Sequence, residues 1–179
     1  MKKTTIEDIQ NLKRSKTPFS AITAYDYTSA RLIDQAEIPI ILVGDSAAMV
    51  VFGYENTIPI TMNEMIFLVS SVSRGAQKAL VVADMPFLSY QVSSENAILN
   101  AGRFIKESGA GAVKLEGGKN SCEKISAIVS SGIPVVGHIG LTPQSFHQMS
   151  GYKVQGKTKE SVNSLIKDAQ MVEAAGAFA

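Results

Sequence analysis

The 179-residue chain is long enough to bury a sizeable core, and 45% hydrophobic with 18% charged residues is typical of a globular protein. Because 17 basic residues offset 16 acidic ones, the charge pattern disfavours nucleic acid and anionic membranes as partners, and we expect a small molecule instead. One cysteine excludes an internal disulfide. With no apolar leader or membrane-length apolar run, we expect a cytoplasmic protein, or an organellar one without its transit peptide.

The first predicted element is a short helix at about residues 4–14. Thr4 and Glu7 have the spacing of a capping box, in which each side chain bonds the backbone N–H of the other residue. Three apolar residues fall on one stripe of this helix: Ile6, Ile9 and Leu12. We therefore expect a capping helix that packs against a single domain formed by residues 1–179.

Five short apolar runs follow, and they are β-branched and mostly unbroken, which is typical of strands buried on both faces of a parallel sheet. The runs are residues 19–24, 38–44, 79–83, 111–115 and 133–137. Helices are predicted between the later runs, each beginning at a serine or threonine and ending at a glycine. These helices span about residues 61–75, 93–109, 121–132 and 158–176.

The alternation of strands and helices predicts βαβ units, and hence either an open doubly wound sheet or a (β/α)8 TIM barrel. No G-x-G-x-x-G motif follows the first run, which disfavours the dinucleotide-binding form of the open sheet. The placement of the acidic residues favours the barrel.

Polar and charged residues stand at the carboxyl ends of four predicted strands. They are Asp45, Ser46, Asp84, Lys114, Glu116 and His138. In a barrel all of them would point into one mouth, where enzymes of this fold carry out their chemistry. A single acid there has a simpler explanation as the cap of the next helix. Three acids on three strands would repel one another unless the lysine or a cation compensates, and oxygen ligands suit Mg²⁺ or Mn²⁺ better than zinc.

Seven segments, in this order and spacing, carry a resemblance to a known family. They are TAYDY (23–27), ILVGDS (41–46), MVVFGYENTIPIT (49–61), ADMPFLSYQ (83–91), GAVKLEGG (111–118), GHIGLTPQS (137–145) and GYKVQGK (151–157). Over essentially the whole chain they resemble the ketopantoate hydroxymethyltransferases, also called 3-methyl-2-oxobutanoate hydroxymethyltransferases. The resemblance implies a (β/α)8 barrel of the phosphoenolpyruvate/pyruvate type and an enzyme that makes ketopantoate on the route to pantothenate and coenzyme A.

The resemblance also implies a site. Asp45 and Asp84 would ligate Mg²⁺ directly, and Glu116 would complete the metal site directly or through water. The 2-oxo acid would contact Asp45, Ser46, Asp84 and Lys114, with His138 beside it. Chelated to the metal, 3-methyl-2-oxobutanoate would lose its C3 proton, and the enolate would attack the one-carbon unit of 5,10-methylenetetrahydrofolate to give 2-dehydropantoate.

Two residue pairs depart from the family pattern. Ala47-Ala48 stands where the family usually has Leu-Gly, and Phe67-Leu68 stands where it usually has Tyr-His. The second change removes a helix histidine, but neither change touches the proposed metal ligands.

Ala177 to Ala179 resemble the first residues of a sixth strand. In the family, the base that removes the C3 proton is a glutamate on that strand, and we expect it just beyond Ala179. The chain is thus expected to be C-terminally truncated, an incomplete barrel of about five strands. Two alternatives stay open: a non-catalytic fragment with at most metal and 2-oxo acid binding, and another metal-dependent lyase or mutase of the superfamily. The full-length family is expected to form homo-oligomeric decamers.

Overall fold

The structure is a computed structural model that describes residues 2–149, 151 and 153–179, without the side chain of Met149. Tyr152 of the GYKVQGK segment lies outside the described residues. Five parallel strands form one sheet in the order β1-β2-β3-β4-β5. Their bounds are Ala21–Thr23, Ile40–Val43, Leu80–Asp84, Ala112–Glu116 and Val135–His138. Each strand overlaps one of the five predicted runs, so these predictions are confirmed.

Eight α-helices lie in the described part of the chain. They are α1 Ile6–Arg14, α2 Tyr27–Gln35, α3 Ala47–Val50, α4 Met62–Gly75, α5 Ser94–Arg103, α6 Cys122–Ser130, α7 Phe146–Met149 and α8 Lys159–Ala174. The four helices predicted between and after the strands are confirmed as α4, α5, α6 and α8. The sequence patterns missed α2, α3 and α7, of which the last two are single turns too short for a periodic pattern. None of the described helices is both long and apolar enough to cross a membrane.

The helix α1 begins one residue later than predicted. Thr5, not Thr4, caps it: the Thr5 hydroxyl accepts the Asp8 N–H at 3.2 Å, and Asp8 Oδ2 accepts the Thr5 N–H at 2.9 Å. The proposed box of Thr4 and Glu7 is therefore wrong. The physical reason is a long-range bond, because the Thr4 N–H donates to the Lys78 carbonyl at 2.6 Å and fixes that residue outside the helix.

The strand β1 differs from the expectation that all strands are buried on both faces. Its three residues are exposed, and 41% of the surface of Ile22 remains accessible. By contrast, every residue of β3 and β4 is buried. The difference follows from position, since β1 is at the edge of the sheet with β2 as its one neighbour, whereas β3 and β4 are central.

Alternate residues of the strands face two different layers, as the pleat requires. One set packs with α4, α5 and α6 in the main core and includes Ile41, Val81, Val113 and Val135. The other set faces the side of the sheet on which α1 lies, where Ile40, Leu80, Val82 and Ala112 pack with Ile9 of α1. Toward the carboxyl ends of the strands, the same face carries Asp84, Lys114, Glu116 and His138. The fold therefore brings the predicted polar residues to one face.

The last residues lie beside β5. The Phe178 N–H donates to the Val135 carbonyl at 3.0 Å, and the Ala179 carbonyl accepts the Gly137 N–H at 2.9 Å. These are the bonds that a parallel neighbour of β5 makes, although the segment is not itself a strand of the sheet in this structure. The segment expected to start a sixth strand thus occupies the position of one.

Candidate active site at the carboxyl edge of the sheet

All of the predicted polar residues line one open pocket of about 490 Å³ at the carboxyl ends of the strands. These residues are Asp45, Ser46, Asp84, Lys114, Glu116 and His138. Strand register explains the grouping, because Asp84 is paired with Lys114 across β3 and β4, and Glu116 with His138 across β4 and β5. Register partners on neighbouring parallel strands present their side chains to the same face.

Lys114 is at the centre of the cluster, with its side chain turned into the pocket and not toward the helices. Its Nζ is 2.8 Å from Asp84 Oδ1 and 3.7 Å from Glu116 Oε1. Burial opposes the charged form of Lys114, but attraction by Asp84 and Glu116 outweighs burial and raises the net pKa of the lysine. Lys114 therefore stays an ammonium ion although it is only 8% exposed.

Asp84 is almost completely buried and does not cap a helix. Its Oδ2 accepts the backbone N–H of Asp45 at 3.1 Å. Its Oδ1 has the Lys114 ammonium as its ion partner but accepts no hydrogen bond of regular geometry. Burial raises the pKa of Asp84, and the attraction of Lys114 only partly opposes this. The helix that follows is capped by Ser93 instead, so the simple capping explanation fails for this acid.

Asp45 also has a strongly altered environment. Burial, with a further contribution from the neighbouring Asp84 charge, raises its pKa to about 7. A hydrogen bond from Gln144 Nε2 to Asp45 Oδ2, of 2.9 Å, acts in the opposite direction by stabilising the carboxylate. The residue before the next helix is Ser46, so Asp45 is not a helix cap either.

Glu116 and His138 form the side of the pocket made by β4 and β5. Glu116 Oε1 lies 3.2 Å from His138 Nδ1, and that nitrogen is also 3.2 Å from Lys114 Nζ. Glu116 Oε2 accepts the backbone N–H of Gln144 at 3.0 Å. Because the His138 side chain remains 33% exposed, it is the member of this group that reaches the open side of the pocket.

Ser46 is placed by a close turn after β2. Its hydroxyl is 2.8 Å from the hydroxyl of Tyr25, in the segment between β1 and α2. A Cβ on Gly44 would come within 2.8 Å of Ser46 Oγ and 3.9 Å of Asp84 Oδ2. A side chain at position 44 would therefore displace the serine, and glycine keeps this edge of the pocket open.

Sequence reasoning missed three residues that hold the site together: Tyr25, Tyr90 and Gln144. Tyr90 is buried, and its hydroxyl donates to Gln144 Oε1 at 2.7 Å and accepts the Glu116 N–H at 3.1 Å. Burial raises the pKa of Tyr90, which keeps the hydroxyl proton available for donation. The three residues lie within TAYDY, ADMPFLSYQ and GHIGLTPQS, but they are neutral, so the pattern of charged residues at strand ends does not indicate them.

The site fits a divalent cation in composition. When Asp45, Asp84 and Glu116 are all ionised, they outnumber the single ammonium by two charges, and Asp84 Oδ1 retains lone pairs that accept no regular hydrogen bond. Within the described residues, however, no three His, Cys, Asp or Glu side chains are arranged to hold an ion by themselves. This suits Mg²⁺, which commonly uses one or two carboxylates and completes its shell with water and substrate oxygens.

Solved structures with the same fold come from one class of barrel proteins. A phosphonopyruvate hydrolase in complex with oxalate and Mg²⁺ superposes with a TM-score of 0.72 at 15% identity, covering 99% of this chain and 61% of that one. A 2,3-dimethylmalate lyase, described as a member of the PEP mutase/isocitrate lyase superfamily, gives 0.66 at 20% identity, with 97% and 61% covered. The chain thus has the fold of these proteins over the part that it covers, 61% of each.

A family model described as ketopantoate hydroxymethyltransferase matches residues 3–179. The chain belongs to this family.

Individual relatives agree with the family match. The 3-methyl-2-oxobutanoate hydroxymethyltransferase of Dehalococcoides mccartyi is 56% identical over 177 residues, which are 99% of this chain and 63% of the relative. The enzymes of the same name from Geotalea uraniireducens and Nitrosopumilus maritimus are each 57% identical and cover 100% and 97% of the chain. The chain spans about two thirds or less of these relatives, at 67% and 62% of their respective lengths.

Proposed function

We propose that this chain provides the metal and 2-oxo acid half of a site that transfers a hydroxymethyl group from 5,10-methylenetetrahydrofolate to 3-methyl-2-oxobutanoate. The product would be 2-dehydropantoate, formed in the first step of pantothenate biosynthesis. The observation that carries the proposal is the buried Lys114 ammonium between Asp84 and Glu116, at the wall of an open pocket. Family membership indicates which reaction to expect, and the pocket contains the groups that would bind its acidic substrate.

The metal ligands in this proposal are Asp45 and Asp84, with Glu116 acting directly or through water. The cation, Mg²⁺, would supply positive charge beside the substrate ketone and so make the C3 proton easier to remove. Each of the two aspartates comes from the end of a different strand, and Asp84 Oδ2 already fixes the backbone at Asp45. This bond connects the turn that carries Asp45 to the end of β3 that carries Asp84.

The substrate contacts in this proposal are Asp45, Ser46, Asp84 and Lys114, with His138 beside the bound acid. Lys114 would pair with the negative charge of the 2-oxo acid, since its ammonium ion is held in the pocket wall. His138 would stand at the accessible rim, within reach of a polar group of the substrate. Without a cation, the carboxylates that are ionised in excess of the Lys114 ammonium would repel the anionic substrate, so substrate binding should depend on the metal.

Isothermal titration calorimetry of the chain with 3-methyl-2-oxobutanoate, with and without Mg²⁺, tests this proposal. We expect heat of binding only when Mg²⁺ is present. Asp84→Asn should weaken binding at least tenfold, because it removes one charge from the proposed metal ligands. Binding of equal strength in the absence of Mg²⁺, or in Asp84→Asn, would contradict the assignment.

Asp34→Asn is a matched control for that experiment. Asp34 is also buried, but its Oδ1 accepts the backbone N–H groups of Lys78 and Ala79 at 2.8 Å, away from the pocket. An asparagine oxygen can accept the same two bonds. We therefore expect Asp34→Asn to bind the 2-oxo acid as the unaltered chain does. Comparing it with Asp84→Asn distinguishes the loss of a proposed metal ligand from the mere loss of a buried charge.

The finer parts of the proposal concern the setting of the reaction. We expect a homo-oligomer, a decamer in the full-length protein, and a cytoplasmic location. Another 2-oxo acid lyase of the superfamily is less well supported, because the relatives of 51–57% identity share the transferase name, whereas the lyase of the same fold is only 20% identical.

A further inference from the structure

Gln144 connects the acidic residues of the pocket although it carries no charge. It lies in the short turn Pro143–Ser145 after β5, and only 5% of its surface is exposed. The backbone N–H of Gln144 donates to Glu116 Oε2 at 3.0 Å. Its side chain reaches in the other direction, so one residue contacts carboxylates that come from two different strand ends.

The side-chain amide of Gln144 uses its full hydrogen-bonding capacity. The nitrogen Nε2 donates to Asp45 Oδ2 at 2.9 Å and to the Met85 carbonyl at 2.8 Å. The oxygen Oε1 accepts from the Tyr90 hydroxyl at 2.7 Å and from Gln91 Nε2 at 3.1 Å. An amide has two donors and two acceptor sites, and all four are matched.

This arrangement fixes the direction of the amide. If it were flipped, Oε1 would face the Asp45 carboxylate and the Met85 carbonyl, which are both acceptors. The amide nitrogen would then face the Gln91 amide group, which is a donor. Buried polar groups that lose their partners are costly, so the observed orientation is strongly preferred. Asp45 Oδ2 is consequently occupied by a donor, and Oδ1 is the oxygen of that carboxylate left for another ligand.

We propose that Gln144 is a positioning residue for the divalent cation, holding Asp45 through Oδ2 so that Oδ1 serves as the metal ligand. This inference rests on the proposed function, because it requires that Asp45 bind a cation. Tyr90 takes part by holding Oε1 of the same amide. Partners that orient metal-binding side chains typically contribute ten- to a hundredfold to metal affinity, that is, about 1.4 to 2.8 kcal/mol.

The test is Mn²⁺ binding to Gln144→Met in the full chain. Methionine has nearly the same length as glutamine but neither donates nor accepts through an amide, and the backbone bond to Glu116 remains. Free Mn²⁺ is measured by electron paramagnetic resonance at constant pH, in the presence of 3-methyl-2-oxobutanoate. We expect the variant to bind Mn²⁺ ten- to a hundredfold more weakly, with a changed spectrum of the bound ion.

Asn100→Leu is the matched control for loss of a partly buried amide. Asn100 Nδ2 donates to the Ser89 carbonyl at 2.7 Å and has no contact with the carboxylates of the pocket. A general loss of stability would therefore appear in Asn100→Leu as well, in urea unfolding. Its Mn²⁺ affinity should stay within about twofold of that of the unaltered chain, because no partner of a proposed metal ligand has changed.

Gln144→Asn provides a second variant should the methionine variant fail to fold. It keeps the amide but shortens its reach, so it should restore part of the Mn²⁺ affinity lost in a variant without an amide. Equal Mn²⁺ affinity in the unaltered chain and in both Gln144 variants would overturn the inference alone. If the unaltered chain bound no Mn²⁺ with the 2-oxo acid present, the proposed function would fall, and the inference with it.

Discussion

At the residue scale, Lys114 shows how a buried charge depends on its neighbours. Only 10% of its side chain is accessible, and its ion partners Asp84 and Glu116 are each 3% accessible. Removing one member of such a group leaves the opposite charges buried without compensation, and this costs far more than the net contribution of the intact pair.

Lys114→Met should therefore lower the free energy of unfolding by about 3 kcal/mol. Urea unfolding of the metal-free chain at pH 8 measures the change. Lys78→Met is the control, because Lys78 pairs at 2.9 Å with Glu37, whose side chain is 76% accessible, and solvent screens such an exposed pair so that its loss should have little effect. Equal effects of the two substitutions would show that Lys114 is not held as a buried ion.

Asp45 should make the stability of the fold decrease as the pH rises, whereas most carboxyl groups in folded proteins make it increase. Its pKa in the folded chain is raised to about 7 by burial and by Asp84, above its ordinary value of 3.8. Between these values the folded chain binds more protons than the unfolded chain, so stability decreases as the pH rises from about 4 to 7. Protonated Asp45 favours folding, and ionised Asp45 opposes it.

Thermal unfolding in EDTA should thus show a lower midpoint at pH 7.5 than at pH 5. Asp45→Asn should reduce this difference, since an amide does not ionise. Adding Mg²⁺ should recover stability mainly at the higher pH, because the cation binds the carboxylate only in its ionised form and must compete with the proton at lower pH. A midpoint that rises with pH in the metal-free chain would contradict the assignment of a raised pKa to Asp45.

At the scale of elements, close packing of α2 against α4 depends on Gly75. A Cβ at this position would lie 2.5 Å from the Tyr27 carbonyl oxygen and 2.9 Å from Ala30 Cβ, and the first of these is backbone that cannot rotate away. Gly102 in α5 differs, since apart from its chain neighbours and the backbone of its own helix no atom lies within 4 Å of the position of its Cβ. Substitutions at the two positions therefore distinguish the effect of close helix packing, at Gly75, from the effect of intrinsic helix propensity, at Gly102.

Gly75→Ala should lower the free energy of unfolding by about 1 to 3 kcal/mol, because α2 and α4 must move apart. Gly102→Ala should raise it by about 0.5 to 1 kcal/mol, because alanine favours the helix and meets no neighbour. Urea unfolding of both variants gives the comparison. Destabilisation by Gly102→Ala, or a neutral Gly75→Ala, would show that the helix contacts are not as described.

At the scale of the whole molecule, the pocket connects segments that are far apart in sequence. Gln144 and Asp45 are 99 residues apart, yet their side chains share a hydrogen bond. The strands β2, β3, β4 and β5 each contribute at least one residue to the pocket lining. A ligand that bridges these residues binds only the folded sheet, so its binding energy adds to the stability of the entire described fold.

Mg²⁺ and 3-methyl-2-oxobutanoate together should therefore raise the free energy of unfolding by about 2.7 kcal/mol at one hundred times the dissociation constant. Each ligand alone should have a smaller effect, because the acid requires the cation and the cation lacks oxygen ligands without the acid. Denaturant unfolding in the presence of each ligand and of both measures this coupling. Simple addition of the two separate effects would argue against a shared site.

The sequence by itself determined the class of fold, the five strands, five of the eight described helices, and the charged members of the pocket. These features follow from local patterns: apolar runs define the strands, and parallel order brings the carboxyl ends of neighbouring strands to one edge. Asp45, Asp84, Glu116 and Lys114 could be predicted because their chemistry is unusual at such positions. Their roles in binding stay predictions.

Only the tertiary structure decided which groups contact one another. In the folded chain Lys114 pairs with Asp84 at 2.8 Å, and Gln144 lies between Asp45 and Glu116. The cap of α1 is Thr5 and not Thr4, because the backbone of Thr4 bonds to Lys78. These outcomes depend on distances between segments that no local pattern encodes. Neutral residues such as Gln144 and Tyr90 acquire their importance from burial and from hydrogen-bond partners, and both exist only after the sheet and its loops have assembled.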